Sequence, residues 1–161
     1  MNYSVFYLWQ SDLPNNRNEI KASIKKAIKN INSKRIGCVL TYDESTWDVA
    51  GVPDISQMIT QKIDKSSIFI CDVSIINKDF EGRKCPNPNV LFELGYAMRC
   101  LGWDKVICVF NHATGRVEDL PFDINHKRIL TYNSENEGYK AQLSKNMERA
   151  IELMAQKGII I

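Results

Sequence analysis

The run Ser67-Ile-Phe-Ile-Cys-Asp72 has no polar residue between its ends. Its length suits a strand, and a strand apolar on both faces has to be covered on both. Helices must therefore lie above and below it, which limits the chain to a wound α/β arrangement. The rest of the sequence supplies the parts. Val5 to Trp9, Gly37 to Tyr42, Lys105 to Phe110 and Arg128 to Tyr132 read as further strands. Arg17 to Asn30 reads as a helix, with lysines on a solvated face and Ile20, Ile24, Ile28 and Ile31 recurring at helical spacing. A second helix begins near Pro53 and carries Ile55, Met58, Ile59 and Ile63 on one stripe. A third follows the Pro-Asn turn with Pro88 as its first residue, and a short one is expected around Val117 to Leu120. The last runs from about Glu137 to Lys157, with Leu143, Met147 and Ile151 inward and Gly158 as its stop.

Strands alternating with helices imply a parallel sheet wound by right-handed crossovers. The expectation is a flavodoxin-like three-layer sandwich with a five-stranded parallel sheet, as one domain over residues 1–161. The apolar end Ile159-Ile-Ile161 reads either as a packed tail or as a domain cut from a longer chain. In such sheets ligands bind beyond the carboxyl ends of the strands, at the topological switch point. Trp9-Gln-Ser-Asp12, the Asp43–Val52 loop, Asp72, Asn111 and the start of the third helix all fall at that edge.

Composition narrows the function. A formal net charge of +2 gives no electrostatic signature for nucleic acid. Five cysteines without CxxC spacing, and two unclustered histidines, point to a reducing cytoplasm and away from disulfides or a metal site. No apolar run is long enough to span a bilayer. There is no GxGxxG after the first strand and no GxxxxGK[ST], which argues against a dinucleotide dehydrogenase and a P-loop NTPase. No GxSxG elbow accompanies His112.

What remains is acidic chemistry. Cys85 to Met98 places Glu93 inside an otherwise apolar helix, directly after a turn of two prolines and two asparagines. A carboxylate there loses hydration, which costs several kcal/mol unless it is partnered or neutralised. If Asn87 caps the helix, helical spacing puts Asn89, Glu93, Tyr96 and Ala97 on one surface. Gly95 lies on another face, open to close approach by a strand or ligand, and Leu91, Leu94 and Met98 point to the core. A lone carboxylate suits a glycosidic bond whose leaving group is already cationic. Nicotinamide on ribose departs as a neutral molecule and needs no second carboxyl to protonate it, unlike an ordinary sugar alkoxide. NAD+ is then the substrate, and neither a cofactor nor a metal is expected. Around Glu93, Trp9 offers a stacking surface, Ser11 and Asp12 polar contacts, Arg17 a pyrophosphate partner, Asp72 and Asn89 ribose contacts, and Tyr96 a second aromatic face.

Trp9 to Pro14 with Asn16-Arg17, Gly51 to Asp54, Cys71 to Val73, Asn87 to Ala97 and Leu120 to Phe122 together resemble a bacterial TIR-like domain. The type is the effector of cyclic-nucleotide-triggered antiphage systems. The resemblance implies a flavodoxin-like fold and cleavage of NAD+ to nicotinamide and ADP-ribose or a cyclic isomer, with Glu93 at the family's catalytic glutamate. It also implies self-association, to which the loop holding Trp47 and Asp48 contributes, and control by a sensor domain or an upstream nucleotide signal. A similar Asn…Glu-Leu-Gly pattern occurs in nucleoside 2-deoxyribosyltransferases, where the glutamate is a covalent nucleophile. Base exchange is therefore the second expectation, and a non-catalytic assembly module the third.

Overall fold

A computed structural model describes residues 1–34, 37–44 and 54–160. In chain order it contains β1 (Asn2–Leu8), α1 (Pro14–Ser33), β2 (Val39–Glu44), α2 (Ile55–Lys65), β3 (Ile68–Asp72), α3 (Pro88–Leu101), β4 (Val106–Asn111), α4 (Phe122–Asn125), β5 (Ile129–Tyr132) and α5 (Tyr139–Gln156). The strands form one parallel sheet in the order β2-β1-β3-β4-β5. That is the flavodoxin-like order, in which successive connections leave β1 in opposite directions. The switch point falls between β1 and β3.

The double coverage read from Ser67–Asp72 is visible residue by residue. Ile68 and Ile70 of β3 join Val5 and Tyr7 of β1 and Ile107 and Val109 of β4 in a core closed by α1 and α5. The intervening Phe69 and Cys71 join Phe6, Leu8 and Cys108 in a second core closed by α2 and α3. Alternate side chains of each central strand thus enter opposite layers, and all five residues of β3 are buried.

Several boundaries differ from expectation for local reasons. α1 starts at Pro14, because proline's fixed φ and missing N–H suit the first turn. β2 continues through Asp43 and Glu44, where Glu44 pairs with Lys21 of α1 and accepts from the Tyr42 hydroxyl. Val117–Asp119 is a single 3-10 turn, and α4 follows Pro121 where no helix was expected. Gly158, at φ 70°, lies just past α5 as its stop. Ile160 beyond it is buried in the α1–α5 core. The expected start near Pro53, and the loop containing Trp47 and Asp48, lie outside the described residues.

Candidate functional site

A cleft of about 260 Å³ opens at the switch point. Its walls are the end of β1 (Leu8 to Ser11), one side of α2 (Ile55, Met58, Ile59, Lys62) and the first turns of α3 (Asn87, Asn89, Val90, Phe92, Glu93). Glu93 is half-buried and has no hydrogen-bond or ion-pair partner among the described residues. Burial alone pushes its carboxyl from the usual carboxylate range to about 7. Lys62, the cation on the opposite wall, is committed elsewhere. Its ammonium donates to Asp43 Oδ1 and to the Glu44 carbonyl, each at 2.8 Å.

Glu93 is held in place through the start of its helix. Asn87 caps α3, its Oδ1 accepting from the Asn89 N–H at 2.9 Å. The other half of that amide donates to Asp12 Oδ2 at 2.7 Å, which sets which way the cap faces. Gln10 completes the clamp. It is 1% exposed, its Oε1 accepts from the Asn87 N–H at 2.7 Å, and its Nε2 donates to the Ser74 carbonyl at 2.9 Å. One buried amide therefore ties the loop after β1 to the loop after β3 and to the helix that bears Glu93. Asp12 acts here as a positioning residue. Gln10 was missed from the sequence; a long polar side chain beside Trp9 at a strand end was the signal.

Asp72 sits apart from the cleft lining. Sequence suggested a ribose contact; instead the carboxylate is completely buried, with Oδ1 accepting from the Ser74 N–H at 2.9 Å and Oδ2 from Asn16 Nδ2 at 3.3 Å. Burial raises its pKa, and these hydrogen bonds oppose the shift. The network runs on. Asn111 donates to Asn16 Oδ1 and to Ser134 Oγ, each at 2.9 Å, and its own Oδ1 accepts from Ala113 and Ser134 N–H groups. Asp72 thus fastens the ends of β3 and β4 to α1.

The remaining expected residues divide. Ser11 and Asn89 line the cleft beside Glu93. Trp9 reaches it too, but the residue is 8% exposed and its ring carries the Arg17 guanidinium 3.6 Å from its centroid. A base stacking on that face would have to displace Arg17. Tyr96 turns away: its hydroxyl donates to Asp64 of α2 at 2.8 Å, which raises the hydroxyl's pKa. Ala97 is fully buried. The single surface expected from spacing therefore splits after Glu93, because α2 packs across the second half of α3. A Cβ at Gly95 would meet nothing within 4 Å, so the close approach expected there is absent among the described residues.

Among those residues no group of histidine, cysteine and acidic side chains is placed to hold a metal ion, and no helix is long and apolar enough to cross a membrane. No family model and no curated protein sequence matches the chain. Solved structures do. A flavoprotein from Thermotoga maritima is similar over 97% of this chain and 36% of its own length, at 17% identity and a TM-score of 0.50. A variant of the flavo di-iron protein of the same organism is similar over 97% and 35%, at 16% identity and 0.50. The flavodiiron core from Synechocystis is similar over 98% and 36%, at 12% identity and 0.50. The chain thus spans about a third of the length of each. These matches correct the expectation of no cofactor, since the proteins sharing the architecture are flavoproteins by name. At such identities they establish the flavodoxin-like fold of this chain and nothing finer.

Proposed function

We propose that the cleft cleaves the nicotinamide–ribose bond of NAD+. The observation that carries the reading is Glu93, a half-buried carboxyl in the cleft, raised to about 7 and with no partner among the described residues. A group held so is poised to meet positive charge, because a cation arriving beside it recovers the desolvation cost of the carboxylate. As the glycosidic bond breaks, its electron pair leaves with nicotinamide, which departs neutral, and the ribosyl cation forms against Glu93. Water then gives ADP-ribose and a proton, while attack by an adenine nitrogen of the same molecule gives a cyclic isomer. The cleft lies slightly below the ~300–1,000 Å³ usual for drug-sized ligands, which suits the nicotinamide–ribose half of the dinucleotide. Ser11 and Asn89 are placed to bond its hydroxyls. The TIR-like resemblance supports an effector that works in self-assembled form under a sensor domain or nucleotide signal.

A flavin is the second reading, drawn from the names of the similar structures. The apolar wall of Leu8, Ile59 and Val90 fits a flat ring, with the Ser11 hydroxyl on the same lining for a phosphate. When bound, the group would supply hydride and single-electron chemistry.

The test uses the purified chain at rising concentration and under forced clustering, beside Glu93→Gln. It is given NAD+, then a deoxynucleoside with a free base, and separately titrated with FMN. Nicotinamide release that drops at least 100-fold in the variant is expected, the scale of removing one electrostatic stabiliser. Base exchange without NAD+ loss would replace the proposal with a transferase. Stoichiometric flavin uptake with NAD+ intact would replace it with a redox protein, and silence in every arm with an assembly module.

A further inference from the structure

The opposite edge of the sheet carries a second, larger cavity of about 620 Å³. It arises from register. β5 begins pairing at Ile129 opposite Cys108, whereas β4 begins at Val106, so the sheet steps back beside Val106 and Ile107 and leaves a notch. The C-terminal half of α5 closes one side of it and the turn at Trp103 the other. Its floor is apolar, with Trp103, Ile129, Met154 and Ile159 among the lining side chains.

The rim is cationic. Lys127, Arg128, Arg149 and Lys157 all line it, against a single carboxylate, Asp104. All four cations are exposed, and none is in an ion pair among the described residues. Here positive charge has collected around an apolar hollow. Lys127 already rests 5.0 Å above the Trp103 ring, so charge and a flat aromatic face are offered side by side. The volume lies within the range of small-molecule sites, which combine apolar walls with a few convergent polar groups.

We infer that this notch binds a small organic anion: a phosphate or carboxylate carried on a flat apolar body. The anionic end meets Arg149, Lys127 and their neighbours, and the flat part lies on the Trp103–Met154 floor. An inorganic anion would use the rim and leave the floor wet, and a neutral aromatic would use the floor and leave the charges unanswered. The inference does not depend on the NAD+ reading, because the notch and Glu93 lie at opposite ends of the sheet.

The experiment follows the Trp103 indole N–H by NMR, assigned with Trp103→Phe, while the full chain is titrated with AMP, adenosine or inorganic phosphate. Glu93→Gln is run in parallel, so that binding at the other cleft is recognised by its response to that change. Arg149→Glu and Lys127→Glu are the charge variants; both positions are exposed, so each variant should melt close to the parent. Saturable AMP binding that moves the Trp103 signal is expected. It should weaken about tenfold or more in each charge variant and with added salt, and both AMP fragments should bind at least about tenfold more weakly. Phosphate binding as tightly as AMP would overturn the apolar-body assignment. AMP binding that ignores Arg149→Glu, or no saturable binding at all, would overturn the site.

Discussion

Glu93 is in tension with the stability of the fold that holds it. In an unfolded chain its carboxyl titrates near 4.5, and in the folded protein near 7. Below the first value both states hold the proton and the position contributes nothing. Between the two values the unfolded chain ionises first, so stability falls as pH rises, and above about 7 the full penalty is present. Glu93→Gln should therefore melt higher than the parent at pH 8, by about 1 kcal/mol once solvent screening of a half-exposed group is allowed for. The two should converge near pH 4. Thermal unfolding across that range checks it, and a variant less stable at pH 8 would show that Glu93 has a favourable partner. The same ionisation should appear as a rise in kcat/KM for NAD+ through about pH 7. Activity and stability thus depend on opposite states of one proton. That an acid stands in an apolar helix was legible in the sequence. That no described residue answers it was not, because partners come from α2 and the strand ends, far away along the chain.

At the level of elements, helix α3 shows how far periodicity reaches. Its cap at Asn87, its Pro88 start and the inward Leu94 follow from local chemistry. The split of its polar face does not, since Tyr96 is drawn off by Asp64 of a neighbouring helix. Gly95 lies on the exposed side in ordinary helical backbone, with open space where a Cβ would stand. Gly95→Ala should stabilise the protein by about 1 kcal/mol, through lost freedom of the unfolded chain and better helix propensity. Chemical denaturation gives the number directly, and destabilisation would mean that α3 is strained at this point. The Gln10 clamp was the least legible feature of the site. A glutamine after a strand carries no periodic signal, and its partners lie 64 and 77 residues away.

Across the whole molecule the five-stranded parallel sheet followed from the alternation of strands and helices, while the role of Asp72 required the strand order. Only when β3 lies between β1 and β4 do Asn16 and Ser74 converge on one buried carboxylate, with Asn111 bonded to both of them from the end of β4. Asp72→Ala would leave the Ser74 N–H and the Asn16 amide without an acceptor in the interior. It should cost about 3 kcal/mol, the sum expected for stranding two such groups. A variant with unchanged melting but impaired turnover would restore the ligand-contact role suggested by its place at a strand end.

The two walls of the Glu93 cleft are built differently, and this has a practical consequence. The α3 wall is bolted to the strand loops by Gln10, Asn87 and Asp12. The α2 wall presents Ile55, Met58 and Ile59, side chains that no hydrogen bond fixes. Altered substrate preference can therefore be sought by library replacement along one helix face, leaving the machinery opposite undisturbed. The molecule comes divided into a chassis and an exchangeable jaw.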